Sequence, residues 1–323
     1  MRHVFAFAIV AAAYGFGCSS SSTSVAEPSV DDGCTSYAAN YCEKANSCVS
    51  FYIQVSWGDV ALCKSRLKDS CLRAAKAPST GITGSALDKC VKTIPAVSCS
   101  DFLNGVPIAD CQVTGSIEDG KVCGDNAQCK TGFCATDESK STCGTCSPKI
   151  GEGAACVAND CPDGLKCVNS KCQKPVAAGG ACSADKPCGQ QLSCISGTCQ
   201  AHLTTEGATC DDKEATAPKC DFTKNLACLG DKCQKFTFAS GAGGACGITL
   251  EGTTIKSITL CDKGGYCKGV DIVKGVFTGT CAPAAVDGAN CTVGEGLGVG
   301  PGCIAPAKCV DGVCKISDPA TCK

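Results

Sequence analysis

The sequence predicts a small disulfide-rich modular protein: an N-terminal disulfide-stapled α-helical bundle followed by tandem Cys-rich repeats with short strands and turns. Three observations predict it. Cysteine makes up 35 of the 323 residues, a density that belongs to an oxidising compartment and to domains held by crosslinks. Gly120, Gly153, Gly179, Gly207, Gly243 and Gly288 each stand three residues before a cysteine, which marks a repeated unit. Between Cys34 and Cys111, apolar residues and cysteines recur at the helical spacings of three and four.

The chain opens on Arg2 and His3, a short positive head, followed by an unbroken apolar and small stretch at 4–17. That stretch has the length of a signal-peptide core and is too short to span a bilayer, so 1–17 is expected to be an export signal. Gly15-Phe16-Gly17-Cys18, followed at once by a serine tract, resembles the lipobox of bacterial lipoproteins. The resemblance implies that Cys18 becomes the mature N-terminus and carries lipid, with Ser19 beside it as in lipoproteins sent on to the outer membrane. That family prefers Leu where this chain has Gly15; ordinary cleavage nearby, with Cys18 lost or unmodified, is the alternative. Setting Cys18 aside leaves an even number of cysteines, which can pair completely. Residues 18–33, rich in Ser, Thr, Pro and acid, have almost nothing to bury and are expected to form a lipidated flexible tether.

Residues 34–112 are expected to form the Cys-rich helical domain. Ala38, Tyr41, Cys42, Ala45, Cys48, Val49 and Tyr52 make one stripe, and Val60, Cys63, Leu67, Cys71 and Ala74 a second. Ser85 can cap a third helix through Leu87, Cys90 and Val91, and Ser100 or Asp101 can begin a fourth near Phe102 and Leu103. Trp57, the only tryptophan, falls between the first two segments and is expected to pack in the core or at its rim. The pairing of the eight cysteines cannot be read from sequence.

Six modules follow, expected at 113–149, 150–175, 176–202, 203–238, 239–283 and 284–323. The second shows the pattern plainly: Cys156, Cys161, Cys167 and Cys172 behind Gly153. The entry glycines read as turns that need positive φ or close backbone approach. No module holds enough Leu, Ile, Phe or Met to fold on a core of its own, so crosslinks must supply the stability, about 4 to 8 kcal/mol from two bridges. Inserted lengths at 211–219, 247–260 and 268–280 read as surface loops. Cys146 and Cys322 fall outside the scheme of four per module; either they pair with each other, or Cys146 reaches back to Cys111 and Cys322 joins a neighbouring module. Adjacent modules are expected to be packed or strung in a row.

Modules such as GAACVANDCPDGLKCVNSKC and GGACSADKPCGQQLSCISGTC resemble the N-terminal cysteine-rich domain of Dickkopf proteins and, more loosely, EGF-like repeats. With the helical segment and the lipobox, the whole is similar to cysteine-rich surface lipoproteins of Gram-negative bacteria. The resemblance covers 18–314 and rests on cysteine spacing and small-residue punctuation. Dickkopf's receptor-antagonist role is not carried over, since no receptor-contacting residue can be matched.

The chemistry of the chain argues against catalysis. Cys143-Gly144-Thr145-Cys146 has the spacing of a thioredoxin-like pair but lies in a Gly-rich module without the βαβ setting that lowers a thiol pKa. Zinc would need a second close pair of thiolates. His3 leaves with the signal, so His202 stands alone in a linker with no nucleophile motif nearby. Asp119, Asp163, Asp287 and Asp311 mostly precede glycine, which is turn chemistry, and no acid-dense loop suggests calcium. The 29 basic and 31 acidic residues nearly cancel, with no basic run, which excludes nucleic acid as a partner. No catalytic residue, cofactor site or metal site is expected.

The function expected is that of a non-enzymatic, lipid-anchored cell-envelope protein at the outer membrane or cell surface. Its rigid modules would present loops for recognition or adhesion to a protein or envelope polymer, at low ordering cost. The alternative is a secreted soluble effector, such as a peptidase inhibitor or a Dickkopf-like binding protein; a third reading is an envelope enzyme working through His202 or a carboxylate.

Overall fold

The structure, a computed structural model, describes residues 27–136, 140–156, 161, 164–211, 214, 216–239, 241–252, 254–292 and 300–323. The expected export signal at 1–17, with Gly15, the expected lipidation position Cys18 and Asp163 lie outside the described residues.

Five helices make the N-terminal bundle. The Ser29 hydroxyl accepts from the Asp32 amide at 3.0 Å and starts α1 (Val30–Cys48), with Asp31 and Asp32 in the first turn where the helix dipole favours acid. One face of α1 buries Cys34, Ala38, Cys42, Ala45 and Cys48. The stripe read as one helix through Tyr52 is in fact two. Val49, β-branched and buried, takes an extended φ of −155°, and the chain turns there into α2 (Ser50–Ser56). Asp59 caps α3 (Val60–Lys76), whose last turn carries Arg73 and Lys76. α4 (Gly84–Thr93) is capped by Thr83, which takes the Ala86 amide, not by Ser85. α5 (Cys99–Leu103) begins after Ser98 rather than at Ser100 or Asp101. In both cases a hydroxyl slightly upstream reaches the amide three residues on, which is the geometry a cap requires.

Disulfides Cys34–Cys71 and Cys42–Cys63 staple α1 to α3, Cys48–Cys99 ties α1 to α5, and Cys90–Cys111 holds the chain leaving α4. Cys42, Ala45, Ile53, Trp57 and Cys63 form the bundle's buried apolar cluster, so Trp57 packs in the core.

Each module repeats one crosslinked unit. The first cysteine pairs with the third and the second with the last: Cys156–Cys167 and Cys161–Cys172, then Cys182–Cys194 and Cys188–Cys199, and likewise through Cys291–Cys309 and Cys303–Cys314. The third and last cysteines face one another across an antiparallel hairpin, as Cys194 and Cys199 do, yet each reaches to a different partner. In four modules the hairpin turns on two residues with positive φ: Asn169-Ser170, Ser196-Gly197, Gly230-Asp231 and Asp311-Gly312. That turn has the twist two adjacent strands require.

The entry glycines explain themselves at the backbone. All six have φ between 79° and 87°, and a Cβ on any of them would meet nothing within 4 Å. Positive φ, not close approach, is the need. Each donates its N–H to the carbonyl of its module's last cysteine, from Gly153 to Cys172 at 2.7 Å and from Gly288 to Cys314 at 2.8 Å. Gly120 donates to Cys146 in the same way, at 2.8 Å.

That bond assigns Cys146 as the last cysteine of the first module, and it pairs with Cys129. The extra cysteine is Cys143, which bridges to Cys322 across a separation of 179 residues. Neither expected pairing of Cys146 forms, and Cys322 joins the first module rather than a sequence neighbour. The seventeen bridges take up every cysteine but Cys18.

The modules do not run in a row away from the bundle; they wrap it. Gln128 of the first module donates to Pro78 O at 2.9 Å while its Oε1 takes the Gly124 and Asp125 amides. Asn104, just past α5, accepts from the Gln190 amide at 2.7 Å. Phe51 of α2 stacks edge-on with Phe222 and Phe236. Gln54 O takes the Gly264 amide, and Ser56 O the Ala305 amide. Arg66 of α3 forks onto Asp287 and also donates to the carbonyls of Ile304 and Ala305. The Cys143–Cys322 bridge closes the belt.

Candidate functional site

Two places hold the features that a binding function needs: the tips of the fifth module, and a cavity at the seam between bundle and first module.

The insertion at 247–260 is not a loop. Its β-branched run forms the strands Ala245–Glu251 and Thr254–Cys261, which pair and extend a five-stranded sheet with Thr237–Ala239, Thr278–Ala282 and Tyr266–Lys268. Alternating Ile, Thr and Leu around Glu251-Gly252 were the signal for a hairpin. The insertion at 268–280 closes in a short turn. Asp271 and Val276 exchange backbone bonds at 2.8 and 2.9 Å, and the Asp271 carboxylate caps the turn and pairs with Lys274 at 2.8 Å. Those bonds from Lys274 hold the Asp271 carboxyl below the usual carboxylate range. The ordered turn points its apolar side chains outward: Val273 is 99 % exposed, with Ile272 and Val276 also exposed. Of the third insertion, 211–219, residues 212, 213 and 215 lie outside the described set; Asp211 donates its amide to Pro218 O.

The cavity, about 510 Å³ and partly open, lies between α1, α3, α4 and the first module. Leu67, Ile82, Leu87 and Phe133 supply apolar wall. Tyr37 and Asp125 bring polar groups to it. Asp125 Oδ1 takes the Ala127 amide at 2.8 Å, an internal cap. Burial pushes the Asp125 carboxyl above its usual range, partly offset by that amide bond. The Tyr37 phenol is also pushed up, by burial first and by Asp125 second. Lys149, also in the wall, donates to Gln112 at 2.8 Å.

The remaining expectations fall as follows. Cys143 and Cys146 are not a pair, since each is committed to a different partner, which removes the redox reading of that motif. The clusters of sulfur within each module are two disulfides side by side, and oxidised sulfur is no thiolate ligand. His202 is not isolated: Ser193 Oγ lies 3.1 Å from its Nε2 and Gln191 Oε1 3.3 Å from its Nδ1. The hairpin Leu192–Ile195 with Thr198–Ala201 brings these partners back across the turn. Ser193 is 6 % exposed, so its hydroxyl is not offered to a substrate, and the contact latches the strands. Burial lowers the His202 pKa, with Asp221 raising it and Lys219 lowering it further.

The chain matches no protein-family model, no curated protein and no solved structure. Among the described residues no helix is long and apolar enough to cross a membrane.

Proposed function

We propose that this is a non-enzymatic, lipid-anchored cell-envelope protein whose disulfide-rigid modules present loops for recognition or adhesion. The observation that carries the reading is the turn at Asp271–Val276. An exposed apolar triplet, Ile272, Val273 and Val276, sits on backbone ordered by its own hydrogen bonds and rooted between Cys246–Cys267 and Cys261–Cys281. Rigid apolar side chains in water cost little order on binding, which is what a recognition tip requires. Lipid on Cys18, with Gly15 in the lipobox-like stretch, would hold this display at the outer membrane or cell surface.

The test has two arms. Mass spectrometry of the mature N-terminus, with and without Cys18→Ser, should find acyl mass on Cys18 and release of the serine variant into the medium. Ile272→Asp combined with Val273→Asp should abolish binding of the purified protein to whole cells or to isolated envelope polymer. Unmodified Cys18 would leave a secreted protein, and unchanged binding by the double variant would remove the recognition role of the tip.

A further inference from the structure

We infer that Cys143–Cys322 is a redox-operated clasp: a dithiol reductant opens it before any other bridge, and its opening frees the C-terminal segment from the first module. This goes beyond the display reading and does not depend on it.

A disulfide yields to a thiol when its sulfurs can be reached and when the two freed thiols drift apart instead of closing again. Reach narrows the field. Three bridges have neither cysteine buried, Cys143–Cys322, Cys182–Cys194 and Cys291–Cys309, whereas every other bridge keeps at least one buried cysteine. The backbone then separates the three. The Cys182 amide donates to Gly197 O at 2.9 Å and the Cys291 amide to Gly312 O at 2.8 Å, so each is fastened to the turn of the hairpin that carries its partner. A second bridge, Cys188–Cys199 or Cys303–Cys314, ties the same hairpin. Thiols freed there stay face to face.

Cys322 has no such hold. Its own amide bond, to Pro319 O at 3.4 Å, is local. Of residues 316–323 only Pro319 is buried, against Gly124. The polar links around it are Ser317 to Gly124 O at 3.3 Å and Arg73–Asp318 at 3.9 Å, both weak. A separation of 179 residues does nothing to keep the two thiols together. On the other side, Cys123–Cys134 and Cys129–Cys146 are buried and hold the first module without the clasp.

The exchange balances. One thiolate of the dithiol attacks a clasp sulfur, the S–S bond breaks, and the other cysteine leaves as a thiolate that takes up a proton. The second thiolate of the dithiol then attacks the mixed disulfide, so the dithiol ends as a disulfide and Cys143 and Cys322 as thiols. Release of the segment parts a space of about 650 Å³, walled by Gly124, Phe133 and Thr142 on one side and by Lys308, Lys315 and Ser317 on the other. Reduction would thus unmask a face of the first module.

The test equilibrates the full, oxidised protein under native conditions with graded ratios of reduced to oxidised dithiothreitol, then alkylates it and maps the labelled cysteines by mass spectrometry. Cys143 and Cys322 should label together at a ratio at least about tenfold lower than Cys182–Cys194 or Cys291–Cys309 requires. In that form a protease should cut within 316–323, and reoxidation should restore resistance. Pro319→Ala, which takes the ring off Gly124, should lower the ratio several-fold further. The inference is overturned if another bridge opens at the same ratio or a lower one, if the reduced clasp leaves 316–323 as resistant as before, or if Pro319→Ala shifts nothing. The order of labelling in the unaltered chain decides the matter even if the variant fails to fold.

Discussion

A proton on His202 would put charge where the fold has removed the water that would solvate it. Because burial lowers its pKa below the ordinary 6.5, the unfolded chain takes up the proton at a higher pH than the folded one. The neutral ring's contribution is then complete above the unfolded pKa and is lost as pH falls through about 6.5 toward the lower folded value. Around the ring, Ser193, Gln191, Asp221 and Lys219 set the local balance, and Asp221 is the one acid that opposes the shift. Amide protection at 191–203, taken relative to the intrinsic exchange rate at each pH, should therefore fall between about pH 7 and pH 5, and His202→Gln should flatten that dependence. An equally steep profile in the variant would show that another group drives it. The sequence showed this histidine as solitary because its partners come from across a hairpin, at a distance along the chain that no catalytic motif uses.

At the level of elements, the glycines separate two kinds of requirement. Gly179 has φ of 79° and open space where a Cβ would stand, whereas a Cβ on Gly124 would lie 2.5 Å from Pro319 Cα. Gly179→Ala should cost only the left-handed strain, about 1 kcal/mol, and leave Cys182–Cys194 and Cys188–Cys199 intact. Gly124→Ala should cost more and lower the yield of Cys143–Cys322, because the obstruction falls where the C-terminal segment docks. Denaturant midpoints and disulfide mapping of the two variants check this; equal costs would mean that the Pro319 contact yields freely. The helices were legible because a buried stripe keeps its period, and the modules because glycine and cysteine keep register. What escaped were ends and breaks. Thr83 and Ser85 both look like caps, and nothing in the residues around Val49 announces a corner, since a β-branched apolar residue fits a helix stripe as well as it fits an extended, buried bend.

At the level of the molecule, the belt was invisible in sequence because single, unpatterned residues make it: Asn104, Phe51, Arg66 and a few backbone groups. The candidate cavity was hidden for the same reason, as Tyr37 reads only as a stripe neighbour and Asp125 only as a turn residue until the two halves meet. The clasp that completes the belt was half legible, since Cys322 was visibly unpaired, but an insertion in the first hairpin disguised which of Cys143 and Cys146 was the extra. Its energetic effect follows from chain length. Closing a loop with a separation of 179 residues removes at most about 5 kcal/mol of unfolded-state entropy, less here because other bridges already shorten the path. The noncovalent seam adds Ser317 to Gly124 O at 3.3 Å and the long Arg73–Asp318 pair at 3.9 Å, both weak. Cys143→Ser with Cys322→Ser should therefore leave the sixteen other bridges formed and α1 to α5 folded, yet free residues 316–323 to proteolysis and lower the Tm by several degrees. Scattering should show the last module swinging outward, with its Arg66 anchor to Asp287 and Ile304 as the remaining pivot. A variant with the same Tm and the same protease resistance would mean instead that the bundle organises the belt and that the clasp only records it.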